Sequence, residues 1–161
     1  MTETATPWYE TISMPALLRH ARTTYGAAMR GALAEAGFTD IPGHGLYVIG
    51  GLALGAGDVP LAVLIRDLRV SKQAASQLVD TLVAGGYLTR SEDPQDRRRQ
   101  VIALTERGQA AAAVQAAARE AIDARLAERI GPTGMLKLRQ MLALLVGIGH
   151  EDRLAAEQDA P

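Results

Sequence analysis

Residues 70–105 read VSKQAASQLVDTLVAGGYLTRSEDPQDRRRQVIALT, and this stretch decides the fold. Ser71 stands just before an apolar-periodic run, where a serine side chain accepts a hydrogen bond from an otherwise unpaired helix amide. Ala75, Leu78, Val79 and Leu82 recur at three- and four-residue spacing, so they share one face of the helix this predicts. The opposite face carries Gln73, Ser76, Gln77 and Asp80, short amides and hydroxyls in place of the lysine and glutamate that commonly solvate a surface helix. Gly85 and Gly86 end the helix, because glycine takes the left-handed cap conformation readily. Residues 87–90 and 100–104 alternate like strands. Between them lie a turn signal, Asp93-Pro94, and then Arg97-Arg98-Arg99.

An amide-faced helix followed by a hairpin with an arginine tip suits duplex DNA. Gln73, Ser76 and Gln77 have the hydrogen-bonding groups to read base edges in a major groove. Ser71, with the helix N-terminus, and Lys72 suit phosphate. Arg90, on the strand leading to the tip, is within reach of the backbone. An arginine on a projecting loop suits the narrow minor groove, where the potential is most negative. The competing reading is an ordinary solvated helix face and an arginine cluster paired with Glu92, Asp93 and Asp96.

These residues also resemble a known family. The run 96–105, DRRRQVIALT, is similar to the D-x-R-x-x-x-hydrophobic-x-L-T wing signature of the MarR family of winged-helix regulators. Ser71-Lys72-Gln73, then Leu78-Val79-Asp80, Leu82 and Gly86-Tyr87-Leu88, resemble that family's recognition helix at the expected distance upstream. Thr105-Glu106-Arg107-Gly108 resembles its lead-in to the following helix. The resemblance implies a mostly α fold with a small β wing: a winged helix-turn-helix DNA-binding lobe at 58–104 and dimerisation helices at 13–37 and 105–149, all in one domain. It makes Arg98 the minor-groove arginine, Asp96 the partner that holds it extended, and Arg97 and Arg99 phosphate contacts. It further implies a homodimeric regulator, repressor in character, on a pseudo-palindromic double-stranded site. A small aromatic effector between the two helical layers is also implied, with Tyr25, Met29, His44 and Tyr47 as its candidate contacts; packing explains those four equally well.

Outside this stretch the pattern is helical. Residues 13–36 form a first long helix with a broad apolar face, Pro15 in its first turn and Gly37 after its end. A second helix is expected at 41–56, although Gly43, Gly45, Gly50, Gly51 and Gly55 weaken it, each interior glycine costing about 1 kcal/mol relative to alanine. Those glycines mean either close packing or a deformable element beside an effector pocket. Val59 suits a one-residue bridge to the wing sheet. Residues 60–68 then make a short buttressing helix with Leu61, Leu64, Ile65 and Leu68 inward. After the wing, Thr105 caps an alanine-rich helix to about 130, with Val114, Ala118, Ala121, Ile122, Leu126 and Ile130 as its buried stripe. Gly131-Pro132 breaks it. A last helix, capped by Thr133 and ending near 148, is apolar around nearly all its circumference, which a half-exposed helix of a monomer does not tolerate. It is covered by a second copy or is a core helix, and the second copy is favoured because this helix and the first both need more cover than one small domain supplies. Trp8 and Tyr9, on a polar N-terminal arm, fit either that copy or their own subunit.

Composition sets the outer bounds. The chain has 161 residues, 48% hydrophobic but only 4% aromatic, so small aliphatic side chains must fill most of the core. A net charge of −1 fits a specific binder with localised basic residues better than a nucleic-acid coat protein. The absence of cysteine excludes disulfides and thiolate metal sites. No signal peptide is visible in residues 1–10, and the apolar run 45–57 is shorter than the ~20 residues a bilayer needs, so a cytoplasmic location without membrane contact is expected. No cofactor or metal is expected: His20, His44 and His150 make no ligand pattern, and Ser71 and Ser76 lack the context of a nucleophile. Two rivals to the regulator remain, a winged-helix protein-interaction module and a small-ligand-binding helical dimer without DNA readout.

Overall fold

The structure, a computed structural model, describes residues 6–55, 59–60, 63 and 71–158. Two compact units divide the chain, Met1–Glu120 and Ala121–Pro161. A 3-10 turn, Trp8–Glu10, is followed by α1 (Met14–Glu35), α2 (Gly45–Leu54), β1 (Val59–Pro60), α3 (Lys72–Ala84), β2 (Leu88–Glu92), β3 (Gln100–Leu104) and α4 (Glu106–Gln158).

Local chemistry sets these boundaries. The α1 helix starts with a proline in its first turn and ends where Gly37 takes φ +85°, with the Phe38 amide donating to the Leu33 carbonyl at 2.8 Å. The α2 helix begins at Gly45 rather than 41. Proline disfavours the helical conformation in the residue before it, so Ile41 cannot lead into Pro42 as helix, and the first turn closes instead by the Gly45 amide on the Pro42 carbonyl. At α3 the Ser71 hydroxyl accepts from the Ala74 amide at 3.2 Å, as expected. Its C-terminus closes with Gly86 at φ +74° and the Tyr87 amide on the Leu82 carbonyl, so Gly86 rather than Gly85 is the left-handed residue.

The sheet is antiparallel in order β1-β3-β2. β3 pairs along its whole length with β2, from Leu88 opposite Leu104 to Glu92 opposite Gln100. The expected one-residue bridge is a two-residue strand, with Val59 opposite Ile102 and Pro60 opposite Val101; a proline is tolerated there because β1 is an edge strand. The buttressing helix expected at 60–68 lies outside the described residues, apart from Pro60 in β1 and a helical Val63.

The core of the first unit joins Met29 and Leu33, Leu46, Ile49 and Leu52, Val79 and Leu82, Tyr87, Leu88 and Ile102 with Ala111 and Ala112 of α4. Two glycines of α2 are set by close approach: a β-carbon on Gly45 would lie 3.0 Å from Leu82, and one on Gly50 3.1 Å from the Gln115 amide oxygen. Gly51 faces open space.

In α4 the helix breaks at Gly131 (φ 68°, ψ 171°), just before Pro132, as the sequence implied. Helix then continues to Gln158, ten residues past the expected end, because residues 151–158 (EDRLAAEQ) are mostly good helix formers. The expected stripe on α4 is only partly buried. Val114 and Ala118 pack against the core, but Ala111, Ala112 and Gln115 are the buried positions, while Ala121 and Ile130 are exposed. Beyond the break, Leu136, Leu138, Met141, Leu142, Leu144, Leu145, Val146 and Ile148 are all exposed in the single chain. Among the described residues no helix is long and apolar enough to cross a membrane.

Candidate nucleic-acid interface

The helix α3 turns Ala75, Val79 and Leu82 into the core and leaves Ser71, Lys72, Gln73, Gln77 and Asp80 exposed. Ser76 is half-buried, so it stands at the margin of this outward face. Lys72 and Gln73 occupy the first turn, beside the cap that engages Ser71 as an acceptor.

The wing tip is a tight double turn scaffolded by its acids. The Asp96 amide donates to the Asp93 carbonyl, the Arg99 amide to the Asp96 carbonyl at 2.8 Å, and the Asp93 amide to the Arg99 carbonyl at 3.0 Å. The Asp93 carboxylate accepts from the Gln95 amide at 2.8 Å, and the Asp96 carboxylate from the Arg98 amide at 3.1 Å. These local side-chain bonds fix a turn that would otherwise flex. Asp96 does not grip the Arg98 guanidinium as expected: its ion pair is with Arg99 Nε at 3.3 Å, and it meets Arg98 through the main chain. A side chain three residues on, across a tight turn, is the nearer partner. Among the described residues neither Arg97 nor Arg98 has a side-chain partner, and both are exposed. The acids therefore hold the turn without neutralising the two arginines that project from it.

Arg90 is placed differently from Arg97 and Arg98. It lies on β2, where its Nη2 is 2.8 Å from Asp80 Oδ1 of α3.

Sequence reasoning missed a cluster behind this face. The Tyr87 hydroxyl donates to Asp40, and Arg107 Nη2 donates to the Tyr87 oxygen at 2.9 Å and lies 3.2 Å from Asp40 Oδ1. The Arg107 guanidinium also lies 4.7 Å from the centre of the Tyr87 ring. The hydrogen bond from Tyr87 is the leading cause that holds the Asp40 carboxyl below its ordinary range. Burial pushes the Tyr87 phenol up, and the bond to Asp40 adds to it. Beside the cluster, Thr105 donates from its hydroxyl to the Gly86 carbonyl at 2.6 Å and accepts from the Gly108 amide at 3.0 Å. A β-carbon on Gly108 would lie 2.1 Å from the Tyr87 carbonyl oxygen, so only glycine fits where α4 passes the bend leading into β2. The Thr-Glu-Arg-Gly sequence signalled the helix start; nothing local linked it to Asp40.

The four effector candidates differ in exposure. Met29 is buried in the core and accepts a weak hydrogen bond from Arg119, Tyr25 and Tyr47 are half-buried, and His44 is exposed. The Tyr47 hydroxyl accepts from Arg22 Nε at 3.2 Å. A cleft of about 470 Å³ is lined instead by Leu52, Leu54, Ala103, Leu104, Ala112 and Arg119, among others, and by none of the four. Among the described residues no group of three or more His, Asp or Glu side chains is placed to hold a metal ion.

Comparison with known proteins agrees with this geometry. Residues 39–99 match the model of the MarR family. Among solved structures, FabT of Streptococcus pneumoniae in complex with DNA is similar at TM-score 0.73 and 18% identity, over 86% of this chain and 96% of that one. A transcriptional regulator of Thermotoga maritima, Tm0710, is 25% identical at TM-score 0.57, over 86% of this chain and 94% of that one. NadR in complex with 4-hydroxyphenylacetate is 21% identical at TM-score 0.66, over 90% of this chain and 96% of that one. No match is found among curated proteins. The match to the family model thus covers residues 39–99, and the likeness in fold to these solved structures extends over most of the chain.

Proposed function

We infer that this chain is a transcriptional regulator of the MarR family rather than an enzyme, a repressor that binds a pseudo-palindromic operator as a homodimer. The observation that carries the DNA reading is the pairing of an amide-rich exposed face on α3 with a rigid wing tip from which Arg97 and Arg98 project unneutralised. In the division of labour we propose, Gln73, Ser76 and Gln77 meet base edges. Ser71, Lys72, Arg97 and Arg99 meet phosphates, and Arg98 enters the minor groove. The bare apolar helix beyond Gly131 supports a second copy as partner, joined through the N- and C-terminal helices; two α3 helices would then reach major grooves about one helical turn apart. A cytoplasmic location belongs to the same proposal.

A duplex selected from a random pool, titrated by fluorescence anisotropy, tests the reading. Arg98→Ala should weaken that duplex by about 1–3 kcal/mol, and Gln73→Ala should change the preferred base more than the total affinity. Equal binding by Arg98→Ala removes the minor-groove role. Selection that returns no preferred sequence removes the regulator reading and favours a protein-binding module.

A small aromatic acid is the effector this reading assigns, supported by the likeness to NadR with its bound 4-hydroxyphenylacetate. Tyr25, Met29, His44 and Tyr47 are its proposed contacts. A ligand shifts affinity only by binding the free and operator-bound forms differently. Operator affinity unchanged by 4-hydroxyphenylacetate and a panel of phenolic acids would take the effector out.

A further inference from the structure

Arg90 and Arg99 both have ion-pair partners in the DNA-binding stretch, but Arg99 is exposed whereas Arg90 is half-buried. Along β2, Leu88 is buried, Thr89 exposed, Arg90 half-buried, and Ser91 and Glu92 exposed. Alternation puts Leu88 and Arg90 on one face of the strand, and that face meets α3. The Arg90 side chain is only 28% accessible, and its Nε and Nη2 are shut from solvent, neither in an aligned hydrogen bond. Its charge is met by Asp80 Oδ1, 2.8 Å from Nη2, on the helix that carries Gln73 and Gln77. In register Arg90 stands opposite Ile102, at the middle of the hairpin whose far end is the wing tip.

We propose that Arg90 does not contact phosphate but is a positioning residue. Its ion pair with Asp80 ties the wing hairpin to the recognition helix, so that the arginine tip and the amide face meet their two grooves in a fixed relation. This rests on the DNA reading above. A guanidinium with two of its three nitrogens sealed and its charge opposed by a carboxylate displaces no counterion from a duplex. Asp80, 62% accessible, is also an acid on the reading face, and it is tolerated there because Arg90 neutralises it.

The two roles differ in salt dependence. Each phosphate contact adds about 0.9 to the slope of log affinity against log salt. Arg90→Gln should lower affinity for the selected duplex roughly tenfold, on the scale of coupling within a contact ion pair, and leave that slope unchanged. Asp80→Asn should release the guanidinium, raise affinity for random duplex, steepen its slope by about 0.9 and reduce discrimination. The reversed pair, Asp80→Arg with Arg90→Asp, should recover discrimination lost in either single reversal. Amide hydrogen exchange in the free protein supplies the arm that needs no DNA: either single change should speed exchange in β2 relative to β3, and the reversed pair should restore it. A slope that falls by about 0.9 in Arg90→Gln, with exchange unaltered, makes Arg90 a phosphate contact and overturns the proposal. If the wild-type protein selects no DNA, the regulator reading falls, and exchange alone still decides whether the pair ties wing to helix.

Discussion

The joint around Tyr87 closes on itself, whereas the helix beyond Gly131 lies bare. Tyr87 is 0% exposed; its ring packs with the core, its hydroxyl serves Asp40 and Arg107, and its carbonyl accepts from the Thr105 amide. Leu144 and Met141 are 72% and 65% exposed in a helix with leucines on most sides. One chain supplies every partner for the first region and few for the second. A single chain therefore completes the joint around Tyr87, while the helix after the break has apolar surface left for another molecule. The difference separates what folding of the monomer fixes from what assembly must fix.

The sharpest way to break this contrast is Leu144→Glu. If a second copy covers the helix, two copies each lose the burial of a large apolar side chain, about 1.5–3 kcal/mol apiece, and association should weaken by at least about a hundredfold. Thermal stability of the single chain should barely change, because Leu144 is already exposed there. Sedimentation velocity over a concentration series reads the first quantity. An unaltered dimer, or a monomeric wild type, would mean that the bare surface has another use.

On the closed side, Gly108→Ala should give the largest loss of monomer stability. The added carbon would stand 2.1 Å from a backbone oxygen, and no side-chain rotation relieves a clash with main chain. A cost of about 3 kcal/mol or more in urea unfolding is expected, at the upper end for overpacking. A loss near zero would show that α4 can slide away from that bend and that the joint is less closed than it looks.

Tyr87→Phe keeps the ring and removes the hydroxyl, so it should cost about 1–1.5 kcal/mol at neutral pH. It should also flatten both limbs of the pH–stability curve. The folded pKa of Asp40 is depressed below 3.8, so its contribution is present above that value and lost as pH falls through the folded pKa. The Tyr87 pKa is raised above 10.0, so its contribution is present below pH 10 and lost as pH rises through the folded pKa. Asp40→Asn should flatten the acid limb alone. If the acid limb survives Tyr87→Phe intact, the hydroxyl is not what holds the carboxyl low.

Local pattern carried much of this architecture. The Ser71 cap, the two wing strands, the Thr105 cap and the break at Gly131-Pro132 each depend on residues within a few positions, and each was legible. The outward placement of Gln73 and Gln77 followed from helical periodicity alone. What stayed hidden was side-chain choice across the fold. Asp40 lies 47 residues from Tyr87 and 67 from Arg107, with no periodic signal joining them. Asp96 had three arginines within three positions, and sequence could not say that turn geometry gives it the Arg99 side chain. Arg90 read as within reach of the DNA backbone because its strand leads to the wing tip; only the packing of β2 on α3 takes it largely out of solvent.

The glycines of α2 offer the smallest test, and one that separates packing from flexibility within a single turn. Gly50 and Gly51 have the same helix propensity, yet one faces Gln115 and Arg119 and the other faces nothing within 4 Å. If close packing explains the glycines, Gly50→Ala should not stabilise, because its β-carbon would press at 3.1 Å on the amide oxygen of Gln115, itself buried with no hydrogen-bond partner among the described residues. Gly51→Ala should gain about 0.5–1 kcal/mol from helix propensity and lost chain entropy. Urea unfolding of the two variants side by side gives the sign of each. A gain at both positions would mean that Gln115 can give way and that α2 is looser than its core contacts suggest, as a deformable element beside a ligand would be. A gain only at Gly51 assigns Gly50 to packing and shows that packing does not require a glycine at position 51.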